Sequence, residues 1–286
     1  MKLKGMDKLY EKLPAYPGRR FAIIPLKAIL AGVLAYLFLI FLDVLPRLFS
    51  SIEILEMIEP FLPFLGSILV AAIAMTLIGQ VWSARERMKG EHGDLAYQKM
   101  FPRGLIGVAL IPPIIFHQFT SIRSLPPVEP VNPLTIQWSQ SLLPYLGVPS
   151  DAEVLVRISI SCVIFLLGML TMRSAILTFG MDYMAVVYLY FPEESEIQEH
   201  EIYSVVRHPA YFGGLLMGFG GLIFRLSVYS ILMFLIVYGV FRLQARREEK
   251  ELEERFGDSY REYMKRVPRL CPSPRNLKQW FRFLKP

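Results

Sequence analysis

Cysteine is almost absent from this chain. Cys162 sits inside an apolar run and Cys271 near the C-terminus, a spacing that supports neither a disulfide framework nor a metal site. Histidine is scarce too, at four residues, and neither His92 nor His200 has a partner at ligand spacing, so no metal is expected. No segment repeats at the periods of roughly 20 to 50 residues that mark solenoids and propellers. The opening stretch, Met1 to Arg20, is polar and contains Pro14 and Pro17, and the apolar run behind it lacks a small-residue cleavage site. It is expected to be a retained cytoplasmic segment and not a signal peptide. Charge is also missing over long distances, and that decides the solvent.

Of the 286 residues 53% are hydrophobic, and the mean hydropathy is +0.40. Several apolar runs approach the roughly 20 residues that carry a helix across about 30 Å of hydrocarbon, so the class expected is polytopic, helical and embedded in a lipid bilayer. The net charge is +6. From Arg242 to Pro286 there are 13 Lys or Arg against 7 Asp or Glu, so the tail alone carries the whole excess. A basic tail beside a membrane segment marks a cytoplasmic face and anionic headgroups, and no nucleic-acid partner is expected.

A first span is expected over about Phe21 to Leu45 and a second over about Phe61 to Trp82. The connection between them holds Glu53, Glu56 and Glu59 against Arg47, whereas Ser83 to Arg103 holds Arg85, Arg87, Lys89, Lys99 and Arg103. The positive-inside rule makes the first connection external and the second cytoplasmic. A third span, about Gly104 to Phe119, contains Pro112-Pro113, which remove two backbone donors and should kink or break it. Ser121 to Ser150, with Pro126, Pro127, Pro130, Pro133, Pro144 and Pro149, reads as an external loop with a short interfacial helix around Trp138. A fourth span covers about Val154 to Phe179. The β-prone run Val186 to Phe191, the acidic turn Pro192 to Ser195 and a second short run at Ile202 to Val206 predict a small cytoplasmic β-hairpin. Tyr211 to Leu226 and Ser227 to Phe241 have no real connector and predict a tight helical hairpin with both ends cytoplasmic. Arg242 to Arg266 is expected to be a separate amphipathic helix, interrupted at Gly257, that folds back over the bundle mouth with Leu252, Phe256, Tyr260 and Tyr263 as its stripe. The fold expected is therefore an all-α polytopic membrane protein of about six transmembrane segments, with both termini cytoplasmic.

Two groups of residues in the last third carry candidate chemistry. The first is Arg207-His208-Pro209-x-Tyr211-x-Gly213, with Gly220 further on. The second is Glu248-Glu249-x-x-Leu252-x-x-x-Phe256-Gly257-x-x-Tyr260-x-x-Tyr263-x-x-x-Val267-Pro268-Arg269. Together they resemble, in residue, spacing and order, the isoprenylcysteine carboxyl methyltransferase and phospholipid methyltransferase superfamily, over about Glu201 to Pro272. Residues before Asp182 are similar only in being helical and apolar. The resemblance implies an S-adenosylmethionine-dependent membrane methyltransferase, with an N-terminal transmembrane region 1–180 of about four spans and a catalytic region 181–286. It implies a cofactor pocket where the hairpin meets the C-terminal helix, reached sideways from the lipid by a lipophilic methyl acceptor. The residues it implies for the cofactor are Tyr203, His208, Pro209, Ala210, Tyr211, Gly213 and Glu248. Those implied beside the chemistry are Arg207, His208, Arg246 and Glu249, and those implied toward the acceptor are Leu216, Arg242 and Gln244.

The chemistry of these residue types agrees. A sulfonium cofactor carries a cationic sulfur, an ammonium and a carboxylate, so its site needs a carboxylate and donors. Glu248 or Glu249 can supply the first; Arg207, or the amides of the helix that starts at Pro209, can supply the second. Methyl transfer is an in-line displacement that requires neither a metal nor a covalent nucleophile. An ammonium acceptor would need a base, for which His208 and Glu249 are candidates; a carboxylate acceptor would need a cation. In the isoprenylcysteine branch an Arg lies one turn before the first Glu and faces the substrate carboxylate. Here that place is held by Gln244, flanked by Arg242 and Arg246, so a prenylcysteine carboxylate, a phospholipid amine and another lipid all stay open as acceptors.

Plainer readings stand beside these. Glu248-Glu249 alone is part of a solvated charge run, Gly214 and Gly218 form a GxxxG packing pair, and His117 is expected to reach the headgroups. An NAD(P)H-dependent reductase of the sterol reductase type is the nearest rival, but in that branch the residue after His is usually not Pro and an Arg-Asp arrangement replaces Glu-Glu. A transporter or scaffold would show ionisable residues deep in its spans or paired broken helices, whereas the polar residues here gather at the cytoplasmic ends.

Overall fold

The computed structural model describes residues 4–126 and 130–285; Pro127 of the proline-rich loop lies outside them. Helix α1 runs over Ile23–Leu48, α2 over Leu62–Ser83, α3 over Ala96–Ala109 and α4 over Ile111–His117. They are followed by α5 (Ser150–Phe179), α6 (Pro209–Arg225), α7 (Val228–Phe256), α8 (Asp258–Arg266) and α9 (Leu277–Phe283). Five stretches among the described residues are long and apolar enough to cross a membrane: Gly18–Leu48, Glu53–Ser83, Arg85–His117, Ala152–Phe179 and Val228–Phe256. With 17 residues, α6 is shorter, at about 25 Å. Leu26, Ile29, Leu30, Val33, Leu34 and Leu37 of α1 and Leu155, Val163 and Leu166 of α5 are exposed. An apolar belt of that extent is stable only against lipid.

Inside lipid, burying a leucine against a leucine gains little, so close backbone approach and polar contacts hold the bundle together. The tightest approach is between α5 and α6. A Cβ built on Gly168 would stand 2.7 Å from the carbonyl oxygen of Gly213, and one on Gly213 would stand 2.8 Å from that of Gly168. Further along the same antiparallel seam the Ser161 hydroxyl donates to the Gly220 carbonyl at 2.8 Å. On the other face of α6, Gly214 lies under the Phe241 ring of α7 and Gly218 faces Phe234 and Val237, as the GxxxG spacing implies. The turn between α6 and α7 is two residues long. Leu226 takes a left-handed conformation (φ 41°), and Ser227 caps α7 by accepting from the backbone of Ser230 while the Ser230 hydroxyl accepts from the backbone of Ser227.

The third span is interrupted at Leu110, just ahead of Pro112-Pro113. A Cβ on Gly32 would lie 2.8 Å from the Ala109 carbonyl, so only a glycine in α1 lets the broken turn approach this closely. The short helix expected around Trp138 is Pro133–Ser139, capped by the Asn132 side chain.

Three expectations are corrected. No strand occurs among the described residues, so the β-hairpin is absent: Val187–Tyr190 is a helical turn and Pro192–Glu194 and Glu201–Ser204 are 3-10 turns. The four residues Val187 to Tyr190 are all buried, so the run packs on every side and never alternates as a half-exposed strand would. The Tyr190 hydroxyl donates to the Val81 carbonyl at 3.0 Å, and Phe191 N to the Val187 carbonyl at 3.1 Å. The tail helix is not separate at Arg242: α7 continues unbroken for 29 residues to Phe256, and the chain turns at Gly257, whose φ of 56° suits glycine. At about 43 Å, α7 is long enough to cross the hydrocarbon and carry the glutamate pair beyond it. His117 does not reach the headgroups. It is buried, with its Nε2 2.7 Å from Asp43 Oδ2. At the same end of the bundle the Arg47 guanidinium donates to the Leu125 and Ile122 carbonyls beside Glu59.

Candidate active site

His208 precedes Pro209, which disfavours the helical region for it, and its backbone stands at φ −121° and ψ 68°. The N–H groups of Arg207 and His208 need partners from outside α6, and the 267–269 segment supplies them. Arg207 N donates to the Pro268 carbonyl at 2.9 Å, and His208 N to the Arg269 carbonyl at 3.1 Å. That pairing fastens the end of the tail to the start of α6 and aims both side chains at α7, where Glu248 and Glu249 sit about two turns beyond Phe241.

The two glutamates end in different surroundings. Glu249 is clamped: Oε1 accepts from Arg207 Nε at 2.7 Å and lies 3.3 Å from His208 Nε2, while Oε2 accepts from Arg269 Nε at 2.6 Å. The Arg207 Nη1 donates in addition to the Met264 and Val267 carbonyls. These contacts occupy Arg207 and Arg269 with Glu249 and the tail. Glu248 has mostly neutral partners. Its Oε1 accepts from the Tyr211 hydroxyl and from Gln244 Nε2 at 3.0 Å, and its Oε2 has only His208 Nδ1 at 3.5 Å. The rings of His208 and Tyr211 stack with centroids 5.4 Å apart, and Tyr211 in turn stacks on Phe241 at 5.2 Å. Burial alone would push the His208 imidazolium down, but the flanking Glu248 and Glu249 carboxylates outweigh it and hold the group above the ordinary histidine range.

Among the residues singled out from sequence, the structure brings together Arg207, His208, Pro209, Tyr211, Gln244, Glu248 and Glu249. Ala210 is buried in the first turn of α6 beside them. Others lie apart. Arg242 and Arg246 are exposed, Arg242 donating to the Tyr238 hydroxyl. Gly213 faces Gly168, and Leu216 packs with Phe212 and Trp280. Tyr203 packs against Phe179 with the rings tilted and their centroids 4.7 Å apart, and its carbonyl accepts from the Tyr263 hydroxyl at 2.7 Å. Two arginines had no role assigned from sequence. Arg269 stood in the quoted motif, where its place after Val267-Pro268 was the available signal. Arg247 contacts Gln244 Oε1 at 3.3 Å and had no signal beyond its adjacency to Glu248.

The cluster can accept a cation. The Glu248 carboxylate is mostly shielded from water and, among the described residues, has no arginine or lysine on it and only the His208 ring 3.5 Å from Oε2, so it can take an ammonium or sulfonium, whereas Glu249 is already held by two arginines. In that chemistry the donor set fits S-adenosylmethionine.

Comparison with known proteins covers this same part of the chain. Residues 156–259 match the phospholipid methyltransferase family. Protein-S-isoprenylcysteine O-methyltransferase B of Arabidopsis thaliana is 31% identical over 110 residues, 37% of this chain and 55% of the relative. Protein-S-isoprenylcysteine O-methyltransferase of Schizosaccharomyces pombe is 31% identical over 107 residues, 37% of this chain and 45% of the relative. Methanethiol S-methyltransferase of Pseudomonas deceptionensis is 36% identical over 91 residues, 29% of this chain and 31% of the relative. The chain thus spans about half the length, or less, of these curated relatives. No solved structure matches. Residues 156–259 are thus similar to the phospholipid methyltransferase family, and just over a third of the chain is similar to isoprenylcysteine O-methyltransferases.

Proposed function

We propose that this chain is an integral membrane methyltransferase that moves a methyl group from S-adenosylmethionine to a lipophilic acceptor. The observation that carries the reading is the inequality of the glutamate pair: one carboxylate locked by two arginines and one left for a cation. When bound, S-adenosylmethionine supplies an electrophilic methyl group on a sulfonium. Glu248 Oε2 meets its positive charge, and Tyr211 and Gln244 fix the carboxylate from the other oxygen. Glu249 acts as a positioning residue that keeps Arg207, His208 and Arg269 in place. The Glu248 and Glu249 carboxylates favour the charged form of His208, which places a group of raised pKa at the edge of the site. The aromatic stack of His208, Tyr211 and Phe241 excludes water from the displacement, which depends on alignment and desolvation.

The charge asymmetry of the connections supports cytoplasmic termini, with α6 and α7 as a hairpin whose open end, and the glutamates, face the cytoplasm. Residues 181–286 then form the catalytic region and 1–180 the transmembrane region before it. The test is binding by the full chain in detergent. S-adenosylmethionine or its demethylated product should bind, and Glu248→Gln should weaken that binding by about tenfold or more, because a charge-assisted contact is lost. Binding of NADPH with no binding of the sulfonium cofactor would sink the reading. Membranes given methyl-labelled cofactor report the acceptor: base-labile label released as methanol marks a carboxyl ester, and stable label in lipid marks an amine.

A further inference from the structure

Two open grooves adjoin on α2 where Arg247 of α7 meets it, sharing Gln80 and Ser83 in their walls. The larger, about 650 Å³, is lined along α2 by Met75, Gly79, Trp82 and Ser83, and from α7 by Arg247. The smaller, about 510 Å³, continues past Ala84 to Arg87 and Arg103. No Asp or Glu lines either one. The polarity runs in one direction, from Met75 within the apolar length of α2 to three arginines at its end.

The arginines have little else to hold. Arg247 contacts no carboxylate among the described residues, its side-chain partner being the amide oxygen of Gln244. Its guanidinium lies over Gly79, where an added Cβ would be 3.2 to 3.5 Å away, so the glycine makes room for the charge against the α2 backbone. Arg103 contacts the Met100 sulfur, and Arg87 reaches Glu91 only at 4.0 Å. The buried indole N–H of Trp82 has no acceptor among the described residues. A cleft built from donors and cations, with an apolar entrance, selects an anion on an apolar chain.

We propose that this cleft binds the phosphate or carboxylate of a single-chain or lipid-like amphiphile, with Arg247 as its principal cation. On the methyltransferase reading, on which this last step rests, the amphiphile is the acceptor. Gln244 is then a neutral spacer. Its amide oxygen accepts from Arg247 and its amide nitrogen donates to Glu248, so the cation for the acceptor and the carboxylate for the cofactor stand side by side without cancelling. The N-terminal region, outside the matched residues 156–259, thereby supplies most of the acceptor's polar pocket.

The test uses the full chain in a non-ionic detergent, without methyl donor, so its outcome is independent of whether the chain transfers methyl groups. Dodecyl phosphate is titrated calorimetrically against protein, with empty micelles subtracted, and compared with dodecanol, dodecyltrimethylammonium and inorganic phosphate. Saturable 1:1 binding of dodecyl phosphate, about tenfold or more tighter than dodecanol, is expected. Arg247→Gln should weaken it by about tenfold, and Arg247→Lys should restore part of the loss. The exposed Arg103→Gln, which leaves packing untouched, should weaken it by about two- to fivefold and reduce its salt dependence. Equal binding of dodecanol, preference for the ammonium, or unchanged affinity in both arginine variants would overturn the proposal. Inorganic phosphate that binds as tightly as dodecyl phosphate would overturn the lipid half of it.

Discussion

Replacing Glu249 by glutamine removes the charge that holds three groups. The Glu249 side chain is 4% exposed and that of Arg207 7%, so the guanidinium cannot recover its lost partner from solvent. Removing one member of a buried ion pair costs about 3–5 kcal/mol. Three features move the expectation to the low end. Glutamine keeps one acceptor oxygen, Arg207 Nη1 keeps the Met264 and Val267 carbonyls, and Arg269, 34% exposed, can rehydrate. A loss of about 3 kcal/mol remains, roughly a hundredfold in the folding equilibrium. Glu248→Gln should cost about 1 kcal/mol, because Tyr211 and Gln244 are neutral and bond equally well to an amide oxygen, and only the longer His208 contact, at 3.5 Å, loses a charge. Equilibrium unfolding of both variants in mixed micelles measures the difference. Equal losses, or a larger loss at Glu248, would refute the division of labour between the two residues.

Gly213→Val should disrupt the α5 and α6 seam by about 2 kcal/mol or more, since its Cβ meets backbone atoms of Gly168 and Met172, whereas Gly239→Ala, with open space around it, should be neutral or slightly stabilising; thermal midpoints in detergent compare them. The raised pKa of His208 gives a stability contribution that is fully present below the ordinary histidine value of about 6.5 and is lost as pH rises through the higher folded-state value. The unfolding midpoint should therefore fall as pH increases across that window, and His208→Gln should abolish the slope. Gly257→Ala should cost about 1 kcal/mol through backbone strain alone, because nothing lies within 4 Å of the added methyl; limited proteolysis after Phe256 should rise with it.

Much of this was legible in the chain. Hydropathy placed α1, α2, α5 and α6 to within a few residues but began the third span at Gly104 instead of Ala96 and ended the last at Phe241 instead of Phe256, while Pro112-Pro113 marked the break at Leu110. The two motifs converge on one cluster because the backbone of Arg207 and His208, just ahead of Pro209, pairs with Pro268 and Arg269. The misread parts have two causes: a local signal overruled by partners distant in sequence, and a change of composition mistaken for a helix end. The β-prone Val187 to Tyr190 is helical because it is enclosed by residues such as Tyr97 and Val81, far back in the chain. The onset of charge at Arg242 looked like the end of a span, yet charge does not stop a helix and no Gly or Pro intervenes before Gly257. The α9 helix was unforeseen because its anchor, Trp280, is explained only by Phe212 and by Thr171, which accepts its indole N–H at 3.2 Å.

The buried Asp43 and His117 have a further meaning for how the chain enters a membrane. The two are separated by 74 residues, and Asp43 lies near the end of α1. At about 5–20 residues per second of synthesis, α1 waits roughly 4 to 15 s before its partner exists. During that interval a lone carboxylate is tolerated only at the wet edge of the bilayer. The last turns of α1 therefore settle to their final depth only once the helix bearing His117 arrives, and insertion of the first and third spans becomes a single coupled event.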